Sequence, residues 1–258
     1  TFVMTIPPSP YRCPPGPYER ACVVADVLKR RGGKPKVVVL DANPEIQAEK
    51  GTFTRAFSTL YAGIVDYRPN AAVGSVEYAK DPLTGKERRT VVTSSGQRVT
   101  GDVVNVIAPH RAAKILADAK LTGGGLWAPV DPRTYASTVF TTVHIIGDAQ
   151  GTGQPKSGHM ANSQAKVCAD AILRLRLGGR IDTAERLNNL TTNSACYSPV
   201  NASEASFLTA SFRYDNDAAS PTYRQMKRVW LGEAEKWTTD NYKEMFAWAS
   251  NLMTDSFA

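Results

Sequence analysis

The sequence predicts an α/β protein that becomes α+β towards its C-terminus, and three stretches carry that prediction. Residues 18–30 repeat apolar side chains at helical spacing, and the pair Gly32 and Gly33 ends this helix. The run KVVVLDA, residues 36–42, is apolar at consecutive positions, as is typical of a parallel strand buried on both faces. A second long helix is predicted for residues 157–178, which also end in glycine.

Composition excludes several classes of protein. The 258 residues carry a net charge of +7, but the basic residues are scattered, and no basic tract is interleaved with aromatics, so we expect no nucleic-acid partner. No apolar run approaches the roughly 20 residues that span a bilayer, and no signal-peptide pattern is present. The chain opens on an apolar strand, TFVMTI, so we expect a fragment of a longer protein.

The first 110 residues are predicted to form one α/β domain. Two strand-like runs, residues 71–79 and 87–95, flank the turn-forming segment KDPLTGK and predict a hairpin. The run DVVNVIAP, residues 102–109, is predicted to be another buried strand.

The remaining chain is predicted to form two further domains, residues 111–185 and 186–258. In the first, a short helix is expected within residues 111–119 and an apolar strand within residues 141–150. In the second, a polar turn containing Cys196 precedes a last helix near residues 241–253, which has one apolar side.

The four cysteines do not have metal-ligand spacing, and no C-x-x-C pair occurs. Cys22 and Cys168 lie in apolar helical patterns and are predicted to be buried, inert thiols. Cys13 and Cys196 lie in turn-like segments, and spacing alone does not show whether they pair.

The segment HIIGDAQGTGQPKSGHM offers the groups that hold a flavin. Gly147 would let a ligand approach the backbone, and Asp148 could accept hydrogen bonds from ligand hydroxyls. A helix starting near Ser157 would present unbonded N–H groups and a positive dipole end. The alternative is an ordinary strand–turn–helix with an N-cap.

Residues 10–44 have the order of a dinucleotide-binding unit, a turn, a helix and a strand ending in Asp41, but the turn reads C-P-P-G-P-Y instead of G-x-G-x-x-G. Taken together, the sequence resembles the flavoprotein subunit of flavocytochrome c sulfide dehydrogenase, over essentially its whole length. The resemblance is carried by PYRCPPGPYERA, VVVLDANP, VHIIGDA, PKSGHMANSQAKVCA, NSACYS and WASNLMTDSFA.

The resemblance implies a fold and a set of site residues. Family members hold FAD in a Rossmann-type domain, carry a second domain of NADH-binding type and end in an interface domain. Here residues 1–110 match the NADH-binding-type domain, 111–185 the second half of the FAD domain, and 186–258 the interface domain. The implied catalytic residues are Cys13 and Cys196, as a redox-active disulfide, and Glu19, as a proton acceptor; the implied cofactor-binding residues are Gly147, Asp148, Lys156, Ser157, Gly158 and Trp248.

Purely structural explanations of these residues stay open. Glu19 could simply favour the first turn of its helix, Trp248 could be a core aromatic residue, and the two cysteines could be unrelated thiols. On the family interpretation, the prolines fix the backbone of Cys13 and remove phosphate-binding N–H donors, and Asp41 is a relic of a ribose-binding site.

The resemblance implies an enzyme that oxidises hydrogen sulfide to sulfur or polysulfide and passes electrons to a c-type cytochrome subunit in the periplasm. The haem must lie on another chain, because no C-x-x-C-H motif occurs. The sequence departs from the family in having no G-x-G-x-x-G turn, so we expect this chain by itself to lack tightly bound FAD and to be inactive. The alternatives are a sulfide:quinone-type oxidoreductase and a non-catalytic interaction module.

Overall fold

The computed structural model describes residues 1–80 and 82–257. The chain forms two compact units. The first comprises Thr1–His110, Tyr197–Ser206 and Ala234–Lys243; the second comprises Arg111–Cys196, Phe207–Glu233 and Glu244–Ala258. The predicted division into three domains stays a prediction.

A parallel sheet organises the first unit. Its strands are β1 (Phe2–Ile6), β2 (Val37–Asp41), β3 (Val65–Arg68) and β7 (Val103–Val106), in the order β3-β2-β1-β7. Strand β2 is buried at every residue, because it has a neighbour on each edge and packing on both faces. The sheet therefore confirms the predicted α/β class.

Two helices pack in this unit, α1 (Gly16–Arg31) and α2 (Lys50–Ser58). The predicted apolar face of α1 is the face that is buried, with Ala21 and Ala25 fully inaccessible. Cys22 lies beside them and is buried as predicted. The core combines side chains from the sheet and both helices, among them Met4, Tyr18, Val39, Phe53 and Tyr61.

An antiparallel sheet completes the first unit. Strands β4 (Val73–Lys80), β5 (Glu87–Thr93) and β6 (Arg98–Gly101) lie in that order. The pairing of β4 with β5 confirms the predicted hairpin; its connecting segment includes position 81, which lies outside the described residues.

The second unit contains α3 (Lys114–Asp118), a 3-10 turn at Gly147–Ala149, α4 (Gly158–Arg176) and α5 (Ala184–Asn189). The remaining elements are β8 (Thr191–Pro199), β9 (Ala205–Tyr214), β10 (Met226–Glu233) and α6 (Thr239–Phe257), of which β8, β9 and α6 contribute residues to both units. The three strands form an antiparallel sheet in the order β10-β9-β8.

The predicted strand at residues 141–150 is wrong. This segment forms turns, the 3-10 turn at Gly147, and two isolated bridges, one between Ala136 and His144 and one between Ala128 and Gln150. Only Ile145 of its apolar residues is buried, whereas Val143 and Ile146 are exposed. The apolar run does not form a strand, because its two bridges go to separate segments, at Ala136 and at Ala128, and no continuous ladder can run along it.

Two other local predictions need correction. Strand β7 exists, but it lies at the edge of its sheet, and Val103 and Val106 are 56% and 43% exposed, so it is not a buried strand. Cys196 lies in strand β8 and not in a turn. Thr192 and Ser194 alternate inward in β8, so a polar sequence forms a strand whose hydroxyls are buried.

Within residues 1–80 and 82–257, no helix combines the length and apolarity that a membrane crossing requires. The same residues contain no cluster of three or more histidine, cysteine or acidic side chains placed to bind a metal ion.

Candidate functional site

A tight turn at the start of α1 holds Cys13. Its backbone is left-handed, with φ of 52°, and its carbonyl accepts a hydrogen bond from the Gly16 N–H at 2.9 Å. A Cβ atom at Gly16 would lie 3.0 Å from the Cys13 Sγ. Position 16 is therefore glycine because the thiol packs directly over its Cα.

The first turn of α1 has no spare amide for a phosphate group. Pro14, Pro15 and Pro17 lack an N–H, and the Gly16 N–H is bonded to Cys13. The next two amides, at positions 18 and 19, both donate to the Pro15 carbonyl, at 3.0 and 3.1 Å. The structure thus has the turn without the anion-binding donors that open a dinucleotide-binding helix.

Asp41, at the end of β2, is hydrogen-bonded to side chains of the protein itself. Its carboxylate is fully buried and accepts hydrogen bonds from the Tyr18 hydroxyl at 2.8 Å and the Tyr67 hydroxyl at 2.9 Å. Asn43 donates to the same carboxylate through its backbone and its side chain. Burial raises the pKa of both tyrosines, so they remain donors to this carboxylate.

A cavity of about 570 Å³ opens beside Cys13. The wall includes Cys13, Glu19, the cationic side chains of Arg12 and Arg20, the apolar Ile107, and His110. The Arg12 backbone N–H donates to the His110 Nδ1 at 2.9 Å, and the Arg20 guanidinium donates to Asn105 at 2.7 Å. A thiol, a carboxyl group and cations therefore share one cavity.

Glu19 is the carboxyl group of this cavity, and its pKa is raised to about 7. Burial is the main cause of the rise and the nearby carboxylate of Glu49 adds to it, whereas hydrogen bonding to Ser198 and the charge of Arg20 oppose it. The Ser198 Oγ lies 3.1 Å from the Glu19 Oε1. A carboxyl group with this pKa exchanges its proton near neutral pH, as a general base must.

In the second unit, Gly147 begins the 3-10 turn with φ of 70°, and a Cβ atom there would lie 3.3 Å from Ala161 of α4. Its N–H donates to the buried Gln164 at 2.7 Å. Lys156 is buried, and its ammonium donates to the carbonyls of Asp148 and Gln150, both at 2.8 Å. Lys156 therefore fixes the turn that carries Gly147 and Asp148.

The helix start predicted at Ser157 is confirmed. Ser157 caps α4 by accepting a hydrogen bond from the Met160 N–H at 3.2 Å, and Gly158 is the first helical residue. The Ser157 hydroxyl also lies 2.8 Å from that of Ser194 in β8. The cap presents the N-terminal end of a 19-residue helix next to the Gly147 turn.

His159, which the sequence did not single out, links Trp248 to the strand that carries Cys196. Its Nδ1 accepts a hydrogen bond from the Ala195 N–H at 3.1 Å, and the Trp248 indole N–H points at the same atom at 3.4 Å. Burial lowers the pKa of His159, so the ring is a neutral acceptor. Its place two residues after the cap residue Ser157 was the available signal.

The predicted site residues fall into two groups. The first unit brings together Cys13 and Glu19. The second unit contains Cys196 and the predicted cofactor-binding residues Gly147, Asp148, Lys156, Ser157, Gly158 and Trp248. The role of each residue stays a prediction. Glu49 and Ser198 were missed, because only tertiary structure brings them to Glu19.

Solved structures with similar folds are flavoprotein reductases. A Cu(II) complex of a cysteine-to-serine mutant of the HOCl-induced flavoprotein disulfide reductase RclA from Escherichia coli is 12% identical, with a TM-score of 0.51; the match covers 81% of this chain and 41% of that one. The ferredoxin reductase for the CYP199A2 system from Rhodopseudomonas palustris is 18% identical, with a TM-score of 0.50, over 81% and 47% of the two chains.

The chain therefore has the fold of the FAD/NAD(P)-binding reductases, and it spans less than half the length of these structures. Residues 1–108 match the family described as the central part of the sulfide dehydrogenase [flavocytochrome c] flavoprotein chain. This match covers less than half of the chain, and it agrees with the resemblance inferred from the sequence.

Proposed function

We propose that this chain is part of the flavoprotein subunit of a sulfide dehydrogenase, which oxidises hydrogen sulfide to sulfur or polysulfide and passes the electrons to a c-type cytochrome subunit. The observation that carries the proposal is the cavity that Cys13 and Glu19 share, within the segment that matches the family. Sulfide oxidation at a disulfide requires a redox-active cysteine sulfur and a group that accepts a proton near neutral pH at one place.

The proposed first step is thiol–disulfide exchange with hydrosulfide as the nucleophile. The hydrosulfide sulfur forms a bond to one sulfur of a Cys13–Cys196 disulfide, and the bond between the two cysteines breaks. Its electron pair leaves on the other cysteine as a thiolate. The substrate sulfur is thereby oxidised to a persulfide, and the leaving cysteine is reduced.

The cavity suits an anionic sulfur substrate. Arg12 and Arg20 give it positive charge, which raises the local concentration of hydrosulfide. When the substrate arrives as hydrogen sulfide, the carboxylate of Glu19 takes its proton and produces the anion that attacks.

The second unit fits one half of a flavin site. Gly147 has a left-handed backbone and lies close to Ala161, so a side chain at this position would be strained, and the N-terminal end of α4 offers positive dipole character beside it. In the whole protein, Gly147, Asp148, Ser157, Gly158 and Trp248 would hold FAD, whereas Lys156 supports their turn. FAD, when bound, supplies a two-electron acceptor that can be emptied one electron at a time.

The partner and the compartment follow from the same proposal. The electrons pass one at a time to c-type haem on a cytochrome subunit, and these 258 residues themselves contain no C-x-x-C-H motif. A resting disulfide persists in an oxidising compartment, which is why we propose the periplasm.

The test is an anaerobic sulfide titration of the full-length flavoprotein together with its cytochrome. We expect sulfide to bleach the oxidised flavin absorbance and then to reduce the haem. If sulfide leaves both spectra unchanged while a chemical reductant bleaches them, the proposed activity is wrong. Quinone reduction in place of haem reduction would identify the quinone-type alternative.

A further inference from the structure

Two carboxyl groups share one hydroxyl behind the Cys13 cavity. The Ser198 Oγ is within hydrogen-bonding distance of the Glu19 Oε1, at 3.1 Å, and of the Glu49 Oε2, which is a closer contact. The three residues come from α1, from the residue preceding α2, and from β8. Glu49 and Ser198 are fully buried.

Hydrogen atoms can be counted at this site. A serine hydroxyl has one proton, and an ionised carboxylate can only accept. If both glutamates were ionised, the single Ser198 proton could serve only one of the two contacts, and the other would bring two oxygen atoms together with no hydrogen between them. The two negative charges would also lie close together in a buried place. If one glutamate is protonated, its O–H donates to Ser198 and the Ser198 hydroxyl donates to the other, so both contacts are hydrogen bonds.

The groups around the pair agree with this count. Glu49 lies in a left-handed backbone conformation, with φ of 49°, which aims a buried carboxyl group at Ser198. Arg20 is the cation that acts on Glu19, and Arg12, Cys13 and His110 face it from the cavity. Cys22 lies near both glutamates; burial raises its pKa first, and their charges raise it further, so it remains a neutral thiol.

We propose that Glu49 and Ser198 are positioning residues that control the protonation of Glu19: at neutral pH the pair carries one proton across the Ser198 hydroxyl, and Glu19 is the member that exchanges it with the Cys13 cavity. The use of this proton in sulfide oxidation rests on the proposed function. Ionised Glu19 accepts a proton from hydrogen sulfide, and protonated Glu19 returns it.

Two substitutions should move the titration of Glu19 in opposite directions. Glu49→Gln removes a like charge that raises the pKa of Glu19, so the midpoint should fall by about one pH unit. Ser198→Ala removes a hydrogen bond that lowers the pKa of Glu19, so the midpoint should rise. A purely structural role for either residue predicts no such opposition.

The measurement is a pH titration of protonated carboxyl groups by infrared spectroscopy on the 258-residue chain, with ¹³C-labelled glutamate. One glutamate should titrate near pH 7 in the unsubstituted chain and should be missing from Glu19→Gln. Glu45→Gln is the matched control, because Glu45 is exposed and lies four residues before Glu49. It should leave the midpoint unchanged.

Midpoints that stay in place, or that move in the same direction in both variants, would overturn the proposal. Should one variant fail to fold, the direction of shift in the other still decides. In the full-length protein, the acidic side of the pH profile of sulfide turnover should shift in the same direction as the Glu19 midpoint in each variant. The infrared titration needs no substrate, so it separates the two proposals. If the Glu19 midpoint shifts as expected but the full-length protein does not oxidise sulfide, only the proposed function is rejected. If sulfide oxidation is normal but the midpoint does not shift in the variants, only the shared proton is rejected.

Discussion

Glu19 couples the stability of the fold to pH. Its pKa in the folded chain is about 7, above its ordinary value of 4.5, so the folded state keeps a proton that the unfolded chain has already lost. The stabilisation from this proton is complete below pH 4.5 and is lost as the pH rises through about 7.

Glu19→Gln keeps the size of the side chain and removes its charge. We therefore expect the variant to be more stable than the unsubstituted chain at pH 8, by about 1–3 kcal/mol, with the difference vanishing towards pH 4. Urea unfolding at both pH values measures this, with Glu45→Gln as the exposed control. An equal effect at both pH values would show that Glu19 does not titrate near neutrality.

Gly16 is the residue on which the Cys13 thiol rests. Gly16→Ala places a methyl group 3.0 Å from the Sγ, so the sulfur must shift. We expect sulfide turnover of the full-length protein to fall by up to about 10²-fold, because small displacements of a reacting atom are costly.

Gly51→Ala is the control for Gly16→Ala, since Gly51 also lies at a helix start but a methyl group added there would have nothing within 4 Å. This control should keep full turnover and gain about 0.5–1 kcal/mol of stability. Unchanged turnover in Gly16→Ala would mean that the thiol position does not matter for the reaction.

At the scale of elements, the helices and strands whose sequence signals lie in neighbouring residues were predicted correctly. Helices α1 and α4, strands β1 and β2 and the β4–β5 hairpin follow from apolar periodicity and from glycine and proline punctuation. Strand β8 was missed because its buried residues are polar and include Thr192 and Ser194, whose hydroxyls bond to partners distant in sequence. Glu49 and Ser198 could not be found from the sequence, because nothing local links them to Glu19.

The segment that replaces the predicted strand has a testable hydrogen-bond pattern. The Ile145 N–H donates to the Tyr135 carbonyl at 2.8 Å, and the Ser137 N–H donates to the Val143 carbonyl at 2.7 Å. We expect these two amides to be protected in hydrogen-exchange experiments, and those of the exposed Thr141 and Thr142 to exchange fast. Continuous protection from Thr141 to Gly147 would instead reveal the regular strand.

At the scale of the whole molecule, the proposed function makes FAD affinity depend on two halves of one site. This chain has the Gly147 turn and the α4 N-terminus, but its sequence lacks the G-x-G-x-x-G turn that binds the pyrophosphate. We therefore expect the 258-residue chain, purified alone, to contain no stoichiometric FAD. Flavin absorbance in a one-to-one ratio with protein would show that the remaining half is sufficient.

The central claim is that sulfide is oxidised at a disulfide between Cys13 and Cys196, and the most direct measurement is sulfide turnover of full-length Cys13→Ser and Cys196→Ser variants, with Cys168→Ser as the control. Cys168 is a buried thiol on α4 with no role in the account. We predict that both site variants lose sulfide oxidation while keeping flavin absorbance, because neither remaining thiol has a partner to displace, and that the control remains active. Near-normal turnover in either site variant would contradict the disulfide mechanism.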